Sequence, residues 1–111
     1  MSDPLSEAVF QMLLSLSDKT RHGLGVAAEV ESRTGGRVTL GASTLYTAFR
    51  RMREDGWIKE VAAPTGEADP RRRFYALTRT GRRVLSAEAR RLERLVGDAR
   101  GKSVLPAEGL S

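Results

Sequence analysis

The sequence contains no cysteine, which excludes a disulfide framework and any metal site built from thiolates. Histidine occurs once, and no HExxH, GxSxG or glycine-rich phosphate-loop pattern is present. One histidine and scattered carboxylates do not assemble a catalytic or metal-binding site. We therefore predict that the protein is not an enzyme and that it needs no metal and no cofactor.

Long apolar runs are also missing. No stretch approaches the roughly 20 consecutive apolar residues that a membrane span requires. The first residues lack the basic and then apolar pattern of a signal peptide. We therefore expect no membrane association and a cytoplasmic location. The 111 residues, of which 40% are hydrophobic, fit one domain with a single core.

Positive charge is concentrated in the middle of the chain. The net charge of +5 comes from 19 basic and 14 acidic residues, and 16 of the basic residues are arginine. Residues 37–83 have a net charge of +6, whereas residues 1–36 have −2 and residues 84–111 have +1. This asymmetry favours a polyanionic partner. The alternative is a solvated arginine-rich surface without a binding role.

Residues 40–61 combine a helix pattern with a basic face. Apolar residues recur at helical spacing and predict a helix over about 43–55. Hydroxyl, aromatic and arginine side chains on its other face suit a helix that lies in a DNA groove, so this is a candidate recognition helix. The apolar stripe consists of Leu45, Ala48, Phe49 and Met52. The opposite face consists of Ser43, Thr47, Arg50 and Arg51, with Tyr46 and Arg53 at its edges.

Two helices are predicted ahead of this one. Asp3 and Pro4 have the residue types of an N-cap and a first helical position, and the apolar pattern after them predicts a helix that stops around residues 17–18. A polar joint then leads into a second helix over about 22–33. Residues 37–40 alternate briefly between polar and apolar side chains, which predicts a short strand.

Residues 57–61 and 73–77 predict two strands. The segment between them contains two prolines and a glycine over 63–70, which indicates a flexible loop. A hairpin directly after the third helix, which Gly56 ends, is the wing of a winged-helix domain. The predicted fold is therefore mainly α (α+β): a winged helix-turn-helix with a two-stranded wing over about 57–78.

A last helix is predicted over about 79–100, with Thr78 as its N-cap. Its narrow apolar seam with charged flanks is typical of a helix–helix contact, and its length of ~33 Å at about 1.5 Å per residue exceeds what the domain body needs. We interpret it as a dimerisation helix; the alternative is a terminal helix that packs back on its own domain. The predicted organisation is a winged-helix DNA-binding domain over 1–78, a dimerisation helix over 79–101 and a flexible tail over 102–111. The seam consists of Leu85, Ala89, Leu92, Leu95, Val96 and Ala99.

Five segments occur together in a characteristic order and spacing. They are LSEAVFQMLLSL at 5–16, RHG at 21–23, TLY at 44–46, EDGWI at 54–58 and RRRFYALTRTG at 71–81. Together they resemble the PadR family of bacterial transcriptional regulators, in particular its short subgroup with a single C-terminal helix. The resemblance covers about residues 5–100.

This resemblance implies a homodimer of winged-helix domains, paired through the last helix with help from the first. It therefore adds Val9 and Leu13 to the predicted interface. It also implies repression, and release of DNA by a small molecule or another signal. Some members bind planar aromatic compounds between tryptophans of the terminal helix. This chain departs from that pattern, because Trp57 is its only tryptophan and residues 79–100 contain no aromatic side chain.

Three groups of side chains are predicted to contact DNA. The start of the recognition helix would reach bases or phosphates, and wing arginines would follow the backbone or minor groove. Basic residues before the second helix would contact phosphate. N-capping is the alternative for the first two hydroxyls below, and packing is the alternative for the tyrosine. The full set is Lys19, Arg21, Ser43, Thr44, Tyr46, Thr47, Arg50, Arg51, Arg71, Arg72 and Arg73.

Two residues with distinctive chemistry are assigned structural roles. His22 is the only histidine, and a capping or packing role is favoured over a sensor role. Trp57 is expected in the core at the corner between helix and strand.

Two functions follow from the sequence. The first is a homodimeric, sequence-specific regulator of transcription, a repressor that binds double-stranded DNA at a pseudo-palindromic operator with half-sites about 10 bp apart. A small-molecule effector of unidentified chemistry would accompany it. The second is a winged-helix protein-interaction module that does not bind DNA.

Overall fold

The computed structural model describes residues 3–107. Within that range the chain forms four helices and a three-stranded antiparallel sheet in the order β1-β3-β2. The predicted winged helix-turn-helix with a hairpin wing is confirmed, with one strand more than expected. Residues 108–111 of the predicted tail lie outside the described residues. In chain order the elements are α1 (Glu7–Ser15), β1 (Arg21–His22), α2 (Gly23–Arg33), α3 (Ala42–Glu54), β2 (Ile58–Val61), β3 (Phe74–Leu77) and α4 (Arg79–Gly101).

The third strand lies where a polar joint was expected. The strand predicted at 37–40 is wrong, because these residues form no regular structure. Instead β1 pairs with β3, with Arg21 opposite Tyr75 and His22 opposite Phe74. This pairing satisfies backbone groups of β3 on the side away from β2. It also brings the start of α2 next to the wing.

The first helix starts later than predicted. Its N-cap is Ser6, whose hydroxyl accepts the N–H of Val9 at 3.1 Å, and neither Asp3 nor Pro4 belongs to the helix. The preceding chain is diverted because the N–H of Leu5 donates to a carboxylate oxygen of α4 at 3.2 Å. The helix also ends at Ser15, slightly before the expected position.

All four helices contribute to one core. The edge of the Phe49 ring meets the Tyr75 ring, with centroids 4.8 Å apart, which seats α3 on the central strand. Trp57 is half-buried and packs against the same core, as expected. The buried cluster consists of Met12, Leu13, Leu16, Val26, Val30, Leu45, Phe49, Met52, Ile58, Tyr75 and Leu85.

Gly56 ends α3, as predicted. Its φ of 77° is the left-handed conformation that glycine adopts without steric cost. Its N–H donates to the carbonyl of Arg53 at 3.0 Å, and the N–H of Trp57 donates to the carbonyl of Met52 at 2.8 Å. This pair of bonds is a Schellman motif, and it turns the chain directly into β2.

Thr78 joins the end of α3, the start of β2 and the start of α4. Its hydroxyl accepts the N–H of Gly81 at 3.0 Å, which confirms it as the N-cap of α4. The same hydroxyl donates to the carbonyl of Gly56 at 2.6 Å, and the N–H of Thr78 donates to the carbonyl of Trp57 at 3.0 Å. These bonds hold the first turn of α4 in one orientation relative to α3.

Glu88 links α4 to the segment that precedes α1. Its carboxylate accepts the N–H of Leu5 and two guanidinium N–H groups of Arg91, the latter both at 2.8 Å. The side chain is only 6% exposed. The hydrogen bonds from Arg91, followed by the bond from Leu5, lower the pKa of Glu88 below its ordinary value.

We expect Glu88→Gln to lower the stability of the fold at neutral pH, because the amide has no charge to match Arg91. A lowered folded-state pKa means that the carboxylate stabilises the fold above its unfolded pKa of about 4.3. That contribution is lost as the pH falls through the folded-state pKa. The difference in urea midpoint between wild type and variant should therefore be widest at pH 7 and close in acid. An equal difference at pH 7 and pH 3 would contradict this role.

Candidate nucleic-acid interface

The outward face of α3 presents the predicted polar side chains to solvent. Its inward face is held in the core by Leu45, Phe49 and Met52, which are all buried. Because these anchors recur at helical spacing, the residues between them point away from the core. The exposed residues are Ser43, Thr44, Tyr46, Thr47, Arg50 and Arg51.

The hydroxyls at the start of α3 are not used as caps. The N-cap is Gly41, which has no side chain to donate or accept a bond. The N-capping alternative for Ser43 and Thr44 is therefore wrong, and both hydroxyls remain on the surface. They lie next to the first N–H groups of the helix, which have no acceptors within it. This end of α3 can therefore donate hydrogen bonds to an anionic or carbonyl oxygen.

The middle of α3 carries an exposed ring and an exposed ion pair. Tyr46 is 68% exposed, so the packing alternative is wrong. Arg50 lies 3.7 Å from Glu54, one helical turn later. An exposed pair of this kind contributes only about 0–1 kcal/mol, so the guanidinium can exchange its carboxylate for another anion at little cost.

Each of the three wing arginines is paired with a carboxylate of the wing itself. The side chain of Arg71 is 90% exposed, so its ion pair is screened by water. The N–H of Arg71 is the main cause that lowers the pKa of Asp69. The wing therefore presents ordered arginines with their charges partly compensated. The pairs are Arg71 with Asp69 at 3.3 Å, Arg72 with Glu67 at 3.3 Å and Arg73 with Glu60 at 3.2 Å.

Arg21 is engaged inside the chain rather than presented outward. Its Nε donates to the carbonyl of Ser15 at 2.8 Å, and a terminal nitrogen lies 3.4 Å from Asp18. The side chain is only 17% exposed. The guanidinium thus satisfies the C-terminal end of α1, and the prediction of a free phosphate contact is corrected on that ground. Lys19 is exposed.

His22 caps α2. Its Nδ1 accepts the N–H of Gly25 at 3.1 Å, and its ring contacts the Phe74 ring edge to face with centroids 5.3 Å apart. The expected capping and packing role is therefore confirmed.

A cleft of about 570 Å³ lies between the start of α2, the outer side of α3 and the wing. Leu24, 67% exposed, stands at its edge and was not predicted as a surface residue of interest. A sequence signal exists, because Leu24 is out of phase with the buried pair Val26 and Val30 on the same helix. The cleft itself has no such signal, because its lining comes from three distant segments.

Apolar side chains of α4 emerge from the core towards its C-terminal end. Leu13 and Leu85, both predicted in a dimer interface, are 0% and 6% exposed and belong to the core of their own chain. They are therefore removed from the candidate contact set. Further along α4, Leu95 is 52% and Val96 38% exposed. The alternative that α4 packs back on its own domain holds for its first half alone. Of the remaining predicted residues, Ala89 is exposed, and Val9, Leu92 and Ala99 are partly exposed.

Across residues 3–107 no helix is both long and apolar enough to cross a bilayer. The same stretch contains no group of three or more His, Cys, Asp or Glu side chains placed to hold a metal ion.

The element order and the exposed α3 define a winged-helix protein. A family model extends this assignment, because the transcriptional regulator PadR-like family matches residues 12–87, from α1 to the first half of α4. The chain belongs to this family. Membership places it among transcription regulators rather than among enzymes.

Solved structures and a curated relative agree with this assignment. A transcriptional regulator from Clostridium thermocellum is 25% identical, with a TM-score of 0.69 over 87% of this chain and 92% of that one. Bacillus subtilis PadR in complex with operator DNA is 19% identical, with a TM-score of 0.64 over 78% of this chain and 48% of that one, which shows the shared fold. A 37.1 kDa protein in transposon TN4556 of Streptomyces fradiae is 34% identical over 92 residues. The match spans 83% of this chain but only 25% of that protein.

Proposed function

We propose that this chain is a homodimeric, sequence-specific DNA-binding regulator, and that it acts as a repressor. The observation that carries the proposal is the outward face of α3, where three hydroxyls, a tyrosine and two arginines are all exposed. The complex of the related Bacillus subtilis protein with operator DNA supports the same use of the fold. The family assignment supports regulation of transcription as the outcome.

In this proposal α3 lies in the major groove. Ser43, Thr44 and Thr47 donate to or accept from base edges and phosphates, and Tyr46 adds a hydroxyl and an apolar ring. Arg50 and Arg51 reach phosphate, with Arg50 exchanging Glu54 for a DNA oxygen. The short segment 43–50 therefore supplies sequence specificity.

The wing supplies sequence-independent affinity along the backbone or in the minor groove. Arg71, Arg72 and Arg73 exchange their wing carboxylates for phosphates. Their ion pairs are exposed and weak, so the exchange costs little, but the carboxylates remain nearby and reduce the net attraction. Lys19 adds a backbone contact from the other side of β1.

Two chains pair through α4 in this proposal. Ala89, Leu92, Leu95, Val96 and Ala99 lie along one side of the helix, and burial against a second copy would remove the two most exposed apolar side chains from water. Val9 of α1 adds to the contact. Residues 1–78 then form the DNA-binding domain, 79–101 the dimerisation helix and 102–111 a tail. Two recognition helices would face half-sites about 10 bp apart.

A gel shift with DNA from upstream of the protein's own gene, at two salt concentrations, tests the proposal. We expect salt-sensitive binding, and we expect Arg50→Ala with Arg71→Ala to weaken it and to reduce the salt slope by about 1 for each phosphate contact removed.

Arg90→Ala is the matched control, since this arginine is exposed on the other side of α4. Its removal should leave the salt slope unchanged if contacts on α3 and the wing determine binding. The alternative, a winged-helix module that binds only proteins, predicts no salt-sensitive shift on any fragment and no difference between the two variants.

A further inference from the structure

The cleft beside α3 combines parts of the chain that lie far apart in sequence. The pairing of β1 with β3 places the start of α2 beside the residues that lead into β3. Leu24 of α2 and Tyr46 of α3 therefore stand on either side of one recess, with Arg72 and Arg73 at its rim. Its volume of about 570 Å³ lies within the range of about 300–1,000 Å³ typical of small-molecule sites.

The interior of this cleft is apolar and aromatic. Phe49 and Tyr75 form its floor, packed edge to face. Tyr46 and Leu24 extend its walls, and both side chains are more than 65% exposed, at 68% and 67%. A DNA backbone is bound by positive charge and hydrogen-bond donors, and it needs no recess with aromatic walls. The shape and lining are better explained by a small molecule with a flat apolar body.

Positive charge is available at one side of the floor. The guanidinium carbon of Arg53 lies 6.0 Å from the centroid of the Tyr75 ring, a cation–π distance. Arg50, one turn earlier, is paired with Glu54, and the rim arginines are paired with wing carboxylates. Among residues 3–107, Arg53 forms no such ion pair. A carboxylate on the ligand could therefore bind Arg53 without displacing a carboxylate of the protein.

We propose that this cleft binds a small aromatic carboxylate, with its ring on the Phe49–Tyr75 floor and its carboxylate on Arg53, in competition with DNA. The competition rests on the proposed function, because the ligand would occupy the space between the recognition helix and the wing. DNA release would then need no change in the dimer. The site is also independent of aromatic residues on α4, which that helix lacks.

Isothermal titration calorimetry without DNA tests the site directly, using 2-naphthoate as the probe and its neutral analogue 2-naphthamide as the matched control. We expect 2-naphthoate to bind, and we expect the amide to bind at least about tenfold more weakly because it cannot form the charge-assisted bonds. Arg53→Gln should weaken binding of 2-naphthoate by a similar factor. Arg90→Gln, an exposed arginine away from the cleft, should have no effect.

A second titration measures the affinity for labelled DNA in the presence of 2-naphthoate. We expect the apparent Kd for DNA to rise with 2-naphthoate concentration for the wild type, and to rise much less for Arg53→Gln. The proposal is overturned if 2-naphthoate fails to bind at millimolar concentration, if Arg53→Gln binds it equally well, or if bound 2-naphthoate leaves DNA affinity unchanged. A protein that binds no DNA would refute the proposed function instead, and the calorimetry would still decide whether the cleft is a ligand site.

Discussion

Gly81→Ala is expected to destabilise the fold by roughly 3 kcal/mol or more, a large part of the total for a domain of this size. A Cβ on Gly81 would overlap the carbonyl oxygen of Trp57, and it would lie 2.9 Å from that carbonyl carbon and 2.8 Å from Leu77 Cδ1. The first two obstacles are backbone, which cannot rotate away as a flexible side chain would. The first turn of α4 would have to move off β2.

Gly97→Ala is the matched control, because it makes the same change later in α4. Nothing lies within 4 Å of a Cβ at that position, and alanine favours the helix by about 1 kcal/mol over glycine. Urea unfolding at one protein concentration should therefore move the two midpoints in opposite directions. If Gly81→Ala unfolds within about 1 kcal/mol of wild type, the close approach of α4 to β2 does not determine stability.

Leu95→Glu with Val96→Glu is expected to abolish dimerisation and to lower DNA affinity by more than about a hundredfold. The proposed pairing would bury both side chains, and an unpaired carboxylate in such a contact is strongly unfavourable. A single DNA-binding domain would also lose the avidity of two linked half-sites, which amounts to roughly 10²–10⁴. Light scattering after size exclusion would measure the mass, and fluorescence anisotropy the affinity.

Ala87→Glu is the control for the added charge. Ala87 is exposed, and its place in the helix repeat puts it on the other side of α4 from the predicted seam. This variant should remain dimeric and should keep most of its DNA affinity. A double variant that stays dimeric would contradict the proposed pairing. A monomer that binds DNA as tightly as wild type would show that pairing does not contribute to recognition.

The two predictions concern opposite ends of one helix. Thr78 and Gly81 hold the start of α4 against β2 and the end of α3, and the exposed apolar residues lie towards its other end. Because α4 is one continuous helix, its start determines where a second chain would be held. The spacing of the two recognition helices therefore depends on the junction at Thr78 as well as on the contact between copies.

Much of the local structure could be predicted from the sequence. Helical spacing identified α3 and its buried stripe, Gly56 identified its end, and Thr78 identified the start of α4. These predictions succeed because each depends on residues within about one helical turn of each other. The exposed polar face of α3 follows from the same pattern, since burying one face of a helix presents the other to solvent.

The errors involve contacts between distant segments. Asp3 does not cap α1, because the bond between Leu5 and Glu88 pulls the preceding chain towards α4. Arg21 resembles a free basic residue in the sequence, but in the fold it bonds to the end of α1. Leu85 follows the same seven-residue repeat as Leu92, yet it is buried in its own chain because the body of the domain reaches that far along α4.

The sequence by itself therefore determined the helices and their caps, the positive middle segment and the family, because these are properties of neighbouring residues and of short segments in order. Only the tertiary structure decided that β1 pairs with β3, that Arg53 faces Tyr75, that Gly81 lies against Trp57 and that α4 emerges from the core at its far end. Each of these depends on how elements far apart in the chain pack together. Side-chain volume and backbone hydrogen bonding decide such packing across the whole domain, and no local pattern records the result.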